Sequence, residues 1–474
     1  MKKLLNVFVL IFFVFTCTAY SEVIKYDDSW DKAGFGLTRS SDSGIEVNFS
    51  IKEFTLEDTR INEEDMQNVL LPDVFLPNDE GAPNLPGNGR FIALPLGAYA
   101  ELKIISSRTE TLFDIELAPA PRIPLDTETG PLEFNKDEAI YSRNEFYPAN
   151  PIQLGEQTQI RGVDVVMLGI TPFQYNPVTK ELLVYRDIQV EVNFIGGNGH
   201  FGEDRLRSRW WDPLLHDMLL NEQSLPEMDY SNIDFRTREG AEYLIICPDD
   251  PDFIAWADSI KVFRTKQGIS TVVKNITEVG GNTTTSIENY VNDAYANWDP
   301  APVAVLLLAD YGTTGNTIVS PAYSYCVSDN IYADVNGNMM ADIIFARMTA
   351  QNPTHLETMV TKVLNYERIP PTNQDFYDHP ITALGWQTSR WFQICSESVG
   401  GFWANELGKT QVRINAIYSG NPNVDPWSTA TNTSTVLNVF GPNGLGYIPA
   451  TPAELGGWTG GNATMVNNAI NSGA

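Results

Sequence analysis

Few residues here could act as nucleophiles or proton carriers. The 474-residue chain has four cysteines, Cys17, Cys247, Cys326 and Cys395, and four histidines, His200, His216, His355 and His379. A thiol attacks a carbonyl only as a thiolate, with a lowered pKa and a base within hydrogen-bond reach. Cys247 and Cys395 lie in apolar runs, where cysteine is usually a small inert core residue. Cys326, beside Ser328-Asp329, is in a polar stretch, but the sequence shows neither a base nor an activating charge for it. A second pattern is Asp334-Val-Asn-Gly-Asn-Met-Met-Ala-Asp342. Oxygens at Asp334, Asn336, Asn338 and Asp342 around Gly337 suit a structural Ca²⁺, with modest affinity because only two are charged. The alternative is an Asx-rich turn without metal. A third is the arginine set Arg205, Arg207, Arg209, Arg236 and Arg238, read either as processing sites in an exposed linker or as ordinary solvated charges.

Composition narrows the setting for this chemistry. Thirty-one Lys and Arg against 60 Asp and Glu leave a formal charge of −29. Such a surface excludes a nucleic-acid partner, which requires clustered cations to displace counterions. Hydrophobic residues at 43% support real cores, and at ~100–200 residues per domain the length predicts about three of them. Lys2 and Lys3, the apolar run Leu4 to Phe15 and the small residues Thr18, Ala19 and Ser21 read as a secretory signal peptide over 1–21. Its removal takes Cys17 and leaves three cysteines, an odd number that cannot all pair. No later segment is apolar enough to span a membrane, so a secreted or cell-surface protein is expected.

The elements that must position these residues fall into two styles. From 22 to 195 the chain alternates apolar and polar residues between turns, as in Arg90 to Leu94 and Leu183 to Phe194, which predicts a β-rich, sandwich-like domain. Asn176-Pro177 marks a turn between two of its strands. Residues 196–240 read as a linker. After Gly240 short apolar runs alternate with helical periodicity: Tyr243 to Cys247, a helix ended by Gly268, Thr271 to Val273, a helix through Tyr295, and Val303 to Leu308. Strands alternating with helices predict a parallel α/β sheet with right-handed crossovers. The pattern continues with strands at Asp342 to Phe345 and Phe392 to Cys395, and with helices over Thr354 to Glu367, from about Gly401, and around Met465 to Ile470. It divides into subdomains at 241–322 and 323–474.

Several segments resemble the gingipain family of secreted cysteine endopeptidases. Gly81-Ala-Pro-Asn-Leu-Pro86 and Pro172-Phe-Gln-Tyr-Asn-Pro177, followed by Leu182 to Val184, are similar to that family's propeptide elements. Phe263-Arg-Thr-Lys-Gln-Gly268, Leu306-Leu-Leu-Ala-Asp310, Ser328-Asp-Asn-Ile-Tyr332, Ile343-Ile-Phe-Ala-Arg347 and Asn365-Tyr-Glu-Arg368 resemble successive blocks of its catalytic domain, with Ala309 and Ala346 replacing glycines. The shared order carries the resemblance; no single motif does.

The resemblance implies a propeptide domain followed by a caspase-like α/β catalytic domain, here C-terminally incomplete. It also implies polypeptide substrates, with the propeptide acting as inhibitor over the active-site crevice until cleavage in the linker. A cysteine thiolate would attack the peptide carbonyl with a histidine as base. The family's Gly-His-Gly segment is missing here, so base and nucleophile are expected beyond Ala474 and these residues alone are expected to be inactive. Glu397, in Cys395-Ser-Glu-Ser-Val-Gly-Gly401, matches the family glutamate that contacts the histidine. Its other reading is a first-turn glutamate favoured by the helix dipole. Arginine- and lysine-selective members carry an acidic residue downstream; the stretch Phe402-Trp-Ala-Asn405 before Glu406 does not reproduce it clearly. No redox or nucleotide cofactor is expected. Two other readings remain open: a noncatalytic or sortase-like surface member of the family, or a calcium-stabilised adhesion module.

Overall fold

The computed structural model describes residues 21–72, 74, 79–125, 128–230, 240–384, 392–415, 427, 433–452 and 461–473. The expected signal peptide, save Ser21, and the candidate processing residues Arg236 and Arg238 lie outside them.

The first unit is β-rich, as its alternation predicts. Its longest strand, Glu181–Gly196, buries Leu182, Val184, Ile188, Val190, Val192 and Phe194. Because side chains alternate with period two, these residues all point to one face. The strand pairs antiparallel with Phe173–Asn176, Gly44–Ser50 and Ala98–Leu112, and Gly34–Ser41 extends the sheet. A second antiparallel sheet, built on Val163–Ile170, packs its Val165, Leu168 and Ile170 into the same core. The Asn176 turn forms as expected, the side-chain oxygen accepting from Val178 N and Thr179 N at 3.1 and 3.2 Å.

The α/β unit has a four-stranded parallel sheet in the order Thr271–Asn275, Tyr243–Cys247, Ala304–Leu307, Ile344–Arg347. Helices Pro251–Lys266, Thr284–Asn297 and Pro353–Arg368 cover it, capped by Asp250, Thr283 and Asn352. Leu244, Ile246, Leu306, Phe253, Ile260, Ile287, Val291 and Leu356 form the core between sheet and helices. A smaller parallel pair, Ile381–Leu384 with Val412–Asn415, follows.

Three expectations need correction. Phe392 to Cys395 is the start of a helix, Phe392–Asn405, and not a strand. A four-residue run with three apolar members cannot be told from a buried helix turn by periodicity, and Ile394 packs beside Trp427 and Ile448. The fourth sheet strand begins at Ile344, because Asp342 is drawn into the preceding loop. The expected linker is an ordered strap as far as residue 230. Phe201, Leu215, Leu219 and Leu225 enter the β-rich core, Leu220 N donates to Phe91 O, and Asn221 bonds both backbone groups of Ala93. Between them Leu206 enters the α/β core. The strap has enough apolar residues to be buried at both ends, which a solvated linker does not.

Candidate functional site

The two ends of the parallel sheet each gather a cluster of buried and half-buried polar groups. At the amino-terminal end stands Arg161, from the turn between Thr158–Ile160 and Val163–Ile170 of the β-rich unit. Its backbone is left-handed, φ 48°, and its side chain only 1% exposed. Nε donates to Leu206 O at 2.9 Å, and Nη1 to Pro302 O and Asp342 O at 2.8 and 2.9 Å. Pro302 and Asp342 stand just before the strands Ala304–Leu307 and Ile344–Arg347. Trp211 of the strap and Tyr295 of the α/β unit place their rings 5.7 and 5.1 Å from the guanidinium carbon. Burial draws Arg161 down to about 10, still charged at neutral pH, with Tyr295 and Asp342 opposing the shift and Arg205 adding to it.

The strap's arginines close on the same end. Arg205 donates to Tyr295 O and Trp298 O at 2.6 and 3.1 Å. Arg207, its side chain 2% exposed, forks onto Asp212 at 2.8 and 2.9 Å. Arg209 reaches Gly268 O at 2.8 Å and lies 3.6 Å from Glu242, whose carboxyl is pushed above its ordinary value by burial. None of the three is the freely solvated loop cation that a processing site requires. Each is engaged by a carbonyl or carboxylate, Arg207 buried, Arg205 half-buried and Arg209 exposed.

The acidic loop also belongs to this end. Asp342 accepts from Arg161 N, Asn336 Nδ2, Val335 N and Asn336 N at 2.9–3.3 Å. Asp334 accepts from Asn338 N and Met339 N. Asn338 donates to Thr158 and Gln159 of the β-rich unit, and its oxygen accepts from Met340 N. Burial raises Asp342 above its ordinary value, partly countered by these donors. The four expected calcium ligands therefore lie in one loop, but N–H donors already occupy oxygens of Asp334, Asn338 and Asp342. Asn336 turns its side-chain nitrogen toward Asp342. The donor set fits a hydrogen-bonded loop docked on the β-rich unit and does not fit a calcium cage.

At the carboxyl-terminal end, Arg347 closes the strand Ile344–Arg347. Its fork grips Asp329 at 2.7 and 2.9 Å, and Nη1 donates to Ala309 O, Asp310 O and Ile318 O. Burial works against ionising Asp329, but Arg347 and Ser320 outweigh it and hold the carboxyl below its ordinary value. Open α/β sheets place their ligands at this end. Further on, Glu397 lies in helix Phe392–Asn405, 3% exposed, and not at a strand-to-helix junction as expected. Arg413 of strand Val412–Asn415 meets it at 2.6 Å.

The thiols have no activated member among the described residues. Burial pushes Cys247 up to about 12 and Cys395 up to about 11. Cys326 is exposed on a small hairpin and donates to Tyr323 O. Among the described residues no hydrogen bond joins a cysteine to a histidine. His200, His216 and His379 instead face Asp204, Glu222 and Asp375. Sequence reasoning missed Arg161 altogether. Its available signal was an arginine in an Arg161-Gly162 turn between two short apolar strands.

Comparison with known proteins fits this two-part architecture. Residues 35–200 match the C25 propeptide and residues 236–448 match peptidase family C25. Lys-gingipain of Porphyromonas gingivalis is 24% identical over 396 residues, covering 79% of this chain and 22% of that protein. Gingipain R2 of the same species is 22% identical over 304 residues, covering 61% of this chain and 39% of its own length. The chain thus spans about a fifth to two-fifths of these relatives. A solved complex of P. gingivalis RgpB pro- and mature domains aligns over 40% of this chain and 97% of its own, with 20% identity and a TM-score of 0.36. A gingipain K structure addressing zymogenic latency, from the same species, aligns over 37% and 98%, with 26% identity and a TM-score of 0.32. Propeptide and peptidase regions follow one another over most of the sequence, and the chain belongs to the gingipain-type C25 peptidase family.

Proposed function

We propose that this chain is the propeptide and the first part of the catalytic domain of a secreted cysteine endopeptidase zymogen. The observation that carries this reading is the succession of a C25 propeptide and a C25 peptidase region, docked on each other through the Arg161 end of the sheet. In this reading the chemistry is attack by a cysteine thiolate with a histidine as base, and among the described residues no hydrogen bond joins such a pair. Glu397, fixed by Arg413, orients that base. The propeptide domain, with the strap, is the inhibitor, and polypeptides are the substrates. The domain limits 22–195, 241–322 and 323–474 belong to this proposal, with the strap joined to the propeptide side. Cleavage falls at Arg236 or Arg238, since Arg205, Arg207 and Arg209 are engaged. The N-terminal run from Lys2 to Ser21 directs export, and among the described residues no helix is long and apolar enough to cross a membrane.

The test is the protein encoded by the complete reading frame, freed of its propeptide and treated with a peptidyl thiol-directed probe. One labelled cysteine with loss of peptide hydrolysis is the expected result. No labelling would sink the peptidase reading and favour a noncatalytic member.

A further inference from the structure

Arg161 is an arginine without a carboxylate on its guanidinium. Its charge is met by three carbonyl oxygens and two aromatic rings, and these come from both sides of a boundary. Pro302 O, Asp342 O and Tyr295 belong to the α/β unit; Leu206 O and Trp211 belong to the strap. The backbone N–H of Arg161 also donates to the Asp342 carboxylate, so that residue is held at both its main chain and its side chain. A left-handed non-glycine residue is strained and persists only where its surroundings over-determine it. Nothing inside the β-rich unit requires the guanidinium here; its bonding partners lie 45 to 181 residues away.

We propose that the amino-terminal edge of the parallel sheet is the docking surface for the propeptide domain and that Arg161 is its anchor. The surface suits a cation: carbonyls at the starts of two parallel strands point outward, flanked by the Tyr295 ring. Arginine meets it better than lysine, since a planar fork can serve several carbonyls and stack on rings at once. The strap completes the seat, with Trp211 Nε1 donating to Val303 O and Arg205 to Tyr295 O and Trp298 O. This anchor lies at the end of the sheet opposite the crest held by Arg347. The inference concerns the docking of two units and stands whether or not the complete protein proves to be a peptidase.

Calorimetry and hydrogen exchange on the full chain test it. Arg161→Asn keeps a residue that tolerates the left-handed backbone but removes the guanidinium. The parent chain is expected to melt in one transition and the variant in two. Exchange of amides at Leu206, Trp211 and Ile344 should rise by about tenfold or more, while amides in the Arg347-held segment 310–329 keep the parent rate. Arg161→Lys retains charge without the fork and serves where the asparagine variant does not fold. It should show a smaller rise at the same amides. A parent that already melts in two steps would overturn the proposal. So would an asparagine variant with a single transition and exchange raised equally at both ends, or a lysine variant indistinguishable from the parent.

Discussion

The two ends of the parallel sheet are each closed by an arginine, Arg161 buried and Arg347 partly buried, and the two solve different problems. Arg347 is the last residue of its own strand. It grips Asp329 in a two-point ion pair and ties down the loop carbonyls Ala309, Asp310 and Ile318. All its partners lie within 38 residues along the chain. Arg161 arrives from another unit and meets carbonyls and rings instead of a carboxylate. A buried ion pair fixes a local shape and leaves an uncompensated charge if either member is lost. A carbonyl-and-ring seat can accept a cation from a separately folded unit, with the buried Asp342 carboxylate taking only that residue's backbone N–H. The end on which ligands of such sheets are expected is thus preorganised from within. The end far from it serves as a coupling for the propeptide.

Removing the fork at the carboxyl end should have the largest effect and the narrowest reach. Arg347→Met leaves three carbonyls without their donor and Asp329 with Ser320 alone; for this part-buried pair the cost should be about 3 kcal/mol, the lower end of the range for a buried one. Denaturant unfolding should register the loss, and hydrogen exchange should rise in 310–329 while the amides of Leu206 and Trp211 stay protected. Equal loosening at the amino end would show that the two arginines form one network, and the contrast between them would fail.

The sequence discloses the elements better than it discloses this contrast. Period-two alternation gave away the strand Glu181–Gly196, and helical spacing gave away the three sheet-covering helices. Those signals are local. The strap was misread because an arginine that bonds a carbonyl 90 residues away has the same sequence appearance as one in water. Arg161 was invisible for the same reason, its partners in the α/β unit being 141 and 181 positions distant. The helix Phe392–Asn405 was misread at its start because a four-residue run carries no period. The Asp334 to Asp342 loop was legible as a tight oxygen-rich turn, but whether its oxygens faced a cation or amide hydrogens depended on tertiary contacts with Thr158 and Gln159.

Acid titration offers a smaller and more discriminating measurement, because the carboxylates at the two ends move in opposite directions. Arg347 and Ser320 hold Asp329 low against burial, so its contribution is present above the unfolded value and is lost as pH falls through the folded one. Asp342 is raised by burial, so its contribution is fully present below the unfolded value and is lost as pH rises through the folded one. Asp329→Asn should therefore cost about 1–3 kcal/mol near neutral pH, with the difference from the parent shrinking below about pH 4. Stability curves by urea unfolding across that range decide it. A difference that stays constant into acid would mean the Asp329 charge does not support the crest.

Metal removal should have the smallest effect of all, and its smallness is informative. A calcium-dependent loop loses its ligand cage on chelation, and binding that favours the native state adds stability as ligand exceeds the dissociation constant. In this chain Asp342 already receives four N–H donors and Asp334 two, and the Asn338 amide spans to the β-rich unit. A cation placed there would have to displace those donors and break the contact with Thr158 and Gln159. The melting temperature should accordingly be the same in EDTA and in millimolar calcium, a comparison that also reports on the amino end as a whole. A rise with calcium would mean that the loop rearranges to bind it. The docked geometry around Arg161, which uses the same Asp342, would then be only one of two states of that edge.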